Sequence, residues 1–267
     1  MSISVYTTVT DAIANEYFVI EGIKSALKFA DEVVVVDGES SDNTIEQINK
    51  IGDPRIKIYI NKWLHSLGKS MTGINKSMAL GYCTGDWCIL MDSDEVFHEE
   101  DANEIKDAAI HVDSDTIAIE FNVIHFYKDY GHTINNVPDW VDLYNKKVYM
   151  VRNHLCIHHG AIGTEPDGHV NLHGQPLPGD KMIHVPCVNV YHYGHARTKE
   201  SYVRKFNHIE GRHKGWQNFK PLTVEEFEWM PEWKLNKFEG THPEAMSARI
   251  AVGLDSYTEI MKLYKGD

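Results

Sequence analysis

Two short apolar runs, each stopping abruptly at carboxylates, constrain this chain more than any other feature. The first is Val33-Val34-Val35-Val36 before Asp37; the second is Trp87-Cys88-Ile89-Leu90-Met91 before Asp92-Ser93-Asp94-Glu95. Unbroken apolar runs of this length suit strands covered on both faces, as in a parallel sheet flanked by helices. The segments around them agree. Ile3 to Val9 is rich in β-branched residues and predicts a strand, and Glu16 to Phe29 carries apolar groups at helical spacing. Ser40 to Thr44 supplies capping residues before a second helix, Arg55 to Ile60 alternates as a third strand, and Ser70 to Leu80 predicts a helix closed by Gly81. Alternating strands and helices define a Rossmann-like α/β half with a doubly wound, mainly parallel sheet, whose ligands bind beyond the carboxyl ends of the strands. Asp37 and Asp92 both fall at such ends.

The pattern changes after residue 115. Thr116 to Tyr127, Lys147 to Arg152 and Val185 to Tyr193 predict a β-rich second half, with loops of Gly, Pro and His between them. A charged helix is expected from Lys199 to about Lys214, and a last helix near Pro243 to Tyr264. The resulting division is a main domain over residues 1–197, with a nucleotide-binding half (1–97) and an acceptor half (98–197), followed by a C-terminal helical appendage (198–267).

Composition narrows the partners. A formal net charge of -13 over 267 residues argues against nucleic acid, which rewards clustered Lys and Arg. No apolar run reaches the length of a membrane span, and the first residues lack the pattern of a signal peptide, so a cytoplasmic protein without an integral membrane segment is expected. Cys83, Cys88, Cys156 and Cys187 form no C-x-x-C pair and read as buried free thiols. The histidines of the middle region, His154, His158, His159, His169 and His173, have no spacing that defines a zinc site and are expected at the surface or in loops.

Asp92-x-Asp94 alone is a weak signal, because acidic turns are common. Delivered by an apolar strand to the carboxyl edge of a sheet, however, the two carboxylates are hard oxygen ligands placed where a nucleotide would lie, which suits Mg2+ or Mn2+ bridging phosphate oxygens. Asp37 is placed to accept hydrogen bonds from a base or ribose. Asp42 has two readings: orienting the nucleotide, or capping the second helix.

Three ordered segments resemble the family 2 glycosyltransferases: Glu16, the turn Val35-Val36-Asp37-Gly38-Glu39-Ser40-Ser41-Asp42-Asn43-Thr44, and Gly85-Asp86-Trp87 running into Asp92-Ser93-Asp94-Glu95. Gly68-Lys69-Ser70 with Asn75 and Ala79 is similar to a further segment bordering the donor site. Val148 to Asn153 resembles the family's arginine strand, and Gly160 to Glu165 the acidic turn after it. The resemblance implies a GT-A fold and transfer of a sugar, hexosyl-like and with inversion, from a nucleotide-diphosphate sugar to an acceptor hydroxyl. A UDP-sugar is the default donor; the acceptor is a saccharide, a lipid-linked group or a protein. It places Thr8, Glu16, Asp37, Asp42, Lys69, Asp92, Ser93 and Arg152 at the donor, and Glu165 at the general base, with Asp139 and Asp142 as rivals. Val190-Tyr191-His192-Tyr193-Gly194-His195-Ala196-Arg197, followed by Lys205, resembles a segment in which a late histidine, His192 in preference to His195, completes the metal shell, giving Asp92, Asp94 and His192 as metal ligands and Mn2+ or Mg2+ as the cation.

Other classes remain open. A nucleotidyltransferase also uses an α/β half and carboxylate-bound Mg2+, but Thr7-Thr8-Val9-Thr10-Asp11 has no glycine-rich phosphate loop. A non-catalytic nucleotide-sugar-binding module would not need a candidate base, and a zinc hydrolase built on the histidines is the remote case. The aromatic residues Trp216, Trp229, Trp233, Tyr202 and Phe219 could stack on an acceptor sugar, although packing of the C-terminal helices is the simpler reading.

Overall fold

A computed structural model describes the chain except for residues 65, 67–69, 135–144, 154, 156, 160–168, 171–172, 215–218 and 256–267, and the side chains of 212–214. Strand β1 (Ile3–Val9) pairs in parallel with both β2 (Glu32–Asp37) and β4 (Trp87–Leu90), and β2 pairs in parallel with β3 (Ile56–Ile60). Helices α1 (Val19–Ala26), α2 (Thr44–Lys50) and α3 (Ser70–Gly81) connect them.

The valine strand shows why the order works. Val33 and Val35 pack with Ile20, Ile23 and Ile48, whereas Val34 and Val36 pack with Ala79 and Leu80 on the opposite face. Every residue of β2 is buried, as a strand sandwiched between helix layers must be.

Past β4 come a short strand β5 (Glu95–Phe97) and helix α4 (Ala102–His111), neither of which the sequence pattern marked. Strand β6 (Ala118–Tyr127), the two-residue β7 (His132–Thr133) and strand β8 (Lys146–Arg152) follow. Strand β8 runs antiparallel to both β4 and β6, so the second half joins the parallel sheet through a reversed strand. Strands β9 (His158–His159) and β10 (His169–Val170) form a separate antiparallel pair. The long β11 (Met182–His195) lies parallel to β6 and antiparallel to β5. The expected mixed α/β architecture with a mainly parallel first half is therefore present.

Helix α5 (Lys199–Lys214) matches its predicted span. A two-residue strand β12 (Asn236–Lys237) then pairs with β7. Of the expected last helix, Ser247–Val252 is helical as α6, which stops at Gly253, whose φ of +73° ends it in a conformation a glycine takes without steric cost; residues 256–264 of that expectation lie outside the described residues. Trp229 packs against Tyr127, Tyr202 and Phe227, as the packing reading had it, whereas Trp233 is exposed. Cys83 and Cys88 are buried free thiols, but Cys187 is exposed, contrary to expectation.

Candidate active site

The carboxyl edge of the parallel sheet is braced by carboxylates. Asp37, closing β2, accepts hydrogen bonds from both the backbone N–H and the hydroxyl of Ser40. Asp11, held at a φ of +45°, accepts from the N–H groups of Ser41 at 2.6 Å and Asp42 at 3.2 Å. Asp42 in turn accepts from Ala14 N–H and Thr44 N–H at 2.8 and 2.9 Å. The loops after β1 and β2 are thus tied to each other, and Asp42 reaches the first residue of α2 from one position ahead of the N-cap, Asn43. Asp11 was not singled out in the sequence because an isolated aspartate after a strand carries no distinguishing pattern.

A cleft opens between the loop after β1 and helix α5. Thr8 and Ser93, two of the predicted donor residues, line it together with Tyr17, Trp63 and side chains from α5. Glu16, at a φ of +58°, is held by a 2.5 Å ion pair to Arg204 of that helix.

Asp92 and Asp94 diverge. Asp92 receives Lys76 of α3 on one oxygen at 2.6 Å and Lys147 of β8 on the other at 2.7 Å. Burial pushes its carboxyl up, but the two ammonium groups outweigh that and hold it well below the ordinary carboxylate range. Glu95 is a support: it accepts from the Asp92 N–H at 2.8 Å and from the Tyr149 hydroxyl at 2.6 Å. Burial, with help from the Asp92 charge, raises its carboxyl.

Asp94 faces the other way, towards β11 and α5. The antiparallel register of β11 on β5 sets His192 opposite Glu95, next to Asp94. His192 Nε2 lies 3.6 Å from Asp94 Oδ1, and Lys205 Nζ lies 2.7 Å from Asp94 Oδ2. Lys205 and His192 overcome the burial penalty and hold Asp94 well below its usual range. Gly194 makes the convergence possible: a Cβ there would sit 2.5 Å from Asp94 Oδ2, 2.6 Å from His192 Nε2 and 2.6 Å from Lys205 Nζ. A break in the β11–β6 register between His192 and His195 spans that glycine. His125 of β6, not foreseen in the sequence, shares a 3.1 Å hydrogen bond between its Nδ1 and that of His192, fixing the ring so that Nε2 is the nitrogen facing Asp94.

For a divalent cation the fit is partial. Asp94 and His192 offer an oxygen and an imidazole nitrogen too far apart to hydrogen-bond and near enough for one ion to touch both. Asp92 would join them only by giving up an ammonium partner. Among the described residues no group of three or more His, Cys, Asp and Glu is arranged to hold a metal.

One predicted donor residue is misplaced. Arg152 pairs in register with Trp87, at the start of β4, so it sits at the end of the sheet away from Asp92. Its guanidinium covers the Trp87 ring and donates to the Thr116 and Asp113 carbonyls. Because β8 is reversed, its cation at the site is Lys147. Lys69, Asp139, Asp142 and Glu165 lie outside the described residues. His159 and His169 are also corrected: both are buried, and both hydrogen-bond the Tyr6 hydroxyl, at 2.7 and 2.8 Å.

A strand-end acidic turn, carboxylate-braced loops and a bordering cleft mark the carboxyl edge of an α/β protein, and comparison with known families supplies the class. Residues 8–154 match the model of glycosyl transferase family 2, more than half of the chain, and the protein belongs to that family. Its relatives include an uncharacterized glycosyltransferase of Rickettsia conorii, 36% identical over 33% of this chain and 28% of that protein. Another, from Rickettsia typhi, is 30% identical over 47% of this chain and 41% of that protein. The chain spans less than half the length of these curated relatives. Solved structures with a partial likeness include S. aureus TarS in complex with UDP-GlcNAc (TM-score 0.48, 19% identity, 79% of this chain and 66% of that one). A mannosyltransferase of Pyrobaculum calidifontis in complex with GDP-Man and Mn2+ is comparable (TM-score 0.48, 15% identity, 84% and 66%). At those TM-scores neither bears on donor or metal.

Proposed function

We propose that this protein transfers a glycosyl group from a nucleoside-diphosphate sugar to an acceptor hydroxyl, with inversion at the sugar carbon, and that residues 1–197 form the transferase domain. The observation that carries the reading is the meeting of Asp94, His192 and Lys205 over the bare Cα of Gly194, beside the cleft at the carboxyl edge of the sheet. Asp94 and His192 would hold a divalent cation, Mn2+ or Mg2+, with Asp92 as a further ligand once it exchanges a lysine. Bound there, the cation supplies Lewis-acid neutralisation of the departing diphosphate.

The rest of the work falls to the chain. The transition state has oxocarbenium character, so negative charge builds on the leaving group as the sugar carbon turns cationic. Positive groups fixed in advance at that place lower the barrier without reorganising. Asp37 and the loops after β1 and β2 hold the nucleoside, with Thr8 and Ser93 lining its path. Glu165 takes the proton of the acceptor hydroxyl, Asp139 and Asp142 being the next candidates for that role.

Two variants separate binding from chemistry. Asp94→Ala should lose cation-dependent nucleotide-sugar binding by calorimetry while keeping the circular dichroism of the parent; unchanged binding would remove Asp94 from the metal site. Glu165→Gln should bind donor normally and release nucleoside diphosphate at least about a hundredfold more slowly, the lower end of a general base's usual contribution.

A further inference from the structure

Helix α5 is more than a prop for the main domain. Ser201, Arg204, Lys205 and His208 line the cleft, and their spacing of three, one and three residues is one face of a helix. The chain carries a formal charge of -13, yet this cleft wall presents two adjacent cations, Arg204 and Lys205.

Two members are held in place. Arg204 is tied to Glu16. Lys205, with a side chain only 12% exposed, gives one N–H to Asp94 and a second, at 3.0 Å, to the Gly194 carbonyl. An ammonium has three such donors, so one has no hydrogen-bond acceptor among the described residues.

The wall also has a charged backing. Arg197 is 3% exposed and stacks on Tyr17, a cleft residue, with its Cζ 4.9 Å from the ring centroid. It donates to the Gly194 carbonyl, the Asn15 carbonyl and the Ser201 hydroxyl, all neutral acceptors. Its Nη2 has no hydrogen-bond partner among the described residues. Burial works against this guanidinium, and the nearby Asp94 and Glu16 charges favour it without accepting from Nη2, so an anion entering the cleft would add to them. Of the groups it touches, Asn15, Tyr17 and Ser201 line the cleft.

We propose that the α5 face is the phosphate-binding wall of the cleft, that Lys205 and Arg204 contact the diphosphate of the donor directly, and that Arg197 supports them from behind. The proposal rests on the transferase reading, since it names the residues that would recognise the donor's phosphates. It goes beyond the acidic turn by assigning phosphate recognition to side chains outside residues 8–154, the segment shared with the family model.

The test is calorimetric titration of UDP and GDP, and of uridine and guanosine as phosphate-free controls, into wild type, Lys205→Gln, Lys205→Arg and Arg204→Gln, each in Mn2+ and again in EDTA. Arg204 is half exposed, so its variant should fold even if removing Lys205 from Asp94 disturbs the site. Lys205→Gln should weaken the diphosphate that binds by about tenfold to a hundredfold, the range of a hydrogen bond to a charged group. Arg204→Gln should weaken it less, Lys205→Arg should recover most of the loss, and nucleoside binding should not change. Equal losses for nucleoside and diphosphate, or losses confined to Mn2+, would overturn direct phosphate contact. If wild type binds diphosphates and both glutamine variants bind them as tightly, the α5 assignment alone falls; if wild type binds none, the transferase reading falls with it.

Discussion

At the residue scale, the decisive position is Gly194. Its φ is ordinary, so what it contributes is the absence of a side chain where three functional groups meet. Gly194→Ala should push Asp94, His192 and Lys205 apart at a strain of roughly 1–3 kcal/mol. The expected outcome is a loss of nucleotide affinity of about tenfold or more together with a fall in melting temperature of about 2–4 °C per kcal/mol of strain, measured by calorimetry and thermal unfolding side by side. Unaltered affinity would mean that the convergence does not serve the ligand. The glycine stands plainly in the sequence, and the family resemblance already groups Asp94 with His192, but no local pattern shows that Lys205 closes on them. Asp94 and Lys205 are 111 residues apart, and only the register of β11 on β5 and the packing of α5 bring them together. The same reason hid Lys76, Lys147 and His125, none of which belongs to a recognisable motif.

At the scale of elements, the first half was legible because each strand and helix is marked by local chemistry: the apolar runs, the cap residues before α2, the glycine closing α3. The second half was legible in composition but not in direction. Nothing in Lys146 to Arg152 says which end points at the site, and the antiparallel pairing of β8 with β4 exchanges the predicted Arg152 for Lys147. Strands β9 and β10 were illegible for another reason, being two residues each. They are fastened to β1 by Tyr6, whose hydroxyl meets both His159 and His169, and to α3 by Ser77, which accepts from the His159 N–H at 2.9 Å. A hydroxyl has one proton, so one imidazole accepts from it and the other donates to it. Tyr6→Phe leaves both rings buried without that partner. It should cost about 1–3 kcal/mol in denaturant unfolding; a change below a few tenths would show that the hydroxyl does not fasten the pair.

At the scale of the molecule, buried histidines set the acid side of stability. Burial lowers His169 from 6.5 to about 3, and burial together with neighbouring positive charge drives His159 and His195 well below their usual value. Between the folded and unfolded values the unfolded chain binds more protons, so stability rises with pH there. Their contribution is complete above about pH 6.5 and is lost progressively as pH falls towards the folded values. The melting temperature should therefore fall from pH 7 towards pH 5, and His159→Gln with His169→Gln should flatten that slope while lowering the plateau. A slope unchanged in the double variant would assign the acid sensitivity to other groups. Among the described residues, no helix is long and apolar enough to cross a membrane.

The central claim is that the carboxyl edge of the sheet binds a nucleoside-diphosphate sugar with a divalent cation. Thermal unfolding in the presence of UDP, GDP and their sugar conjugates, each with Mn2+, with Mg2+ and with EDTA, tests it most directly, because a ligand of the native state raises the melting temperature. The account predicts stabilisation by one nucleotide series that is strong with the cation and reduced in EDTA; no stabilisation by any nucleotide under any of these conditions would contradict it.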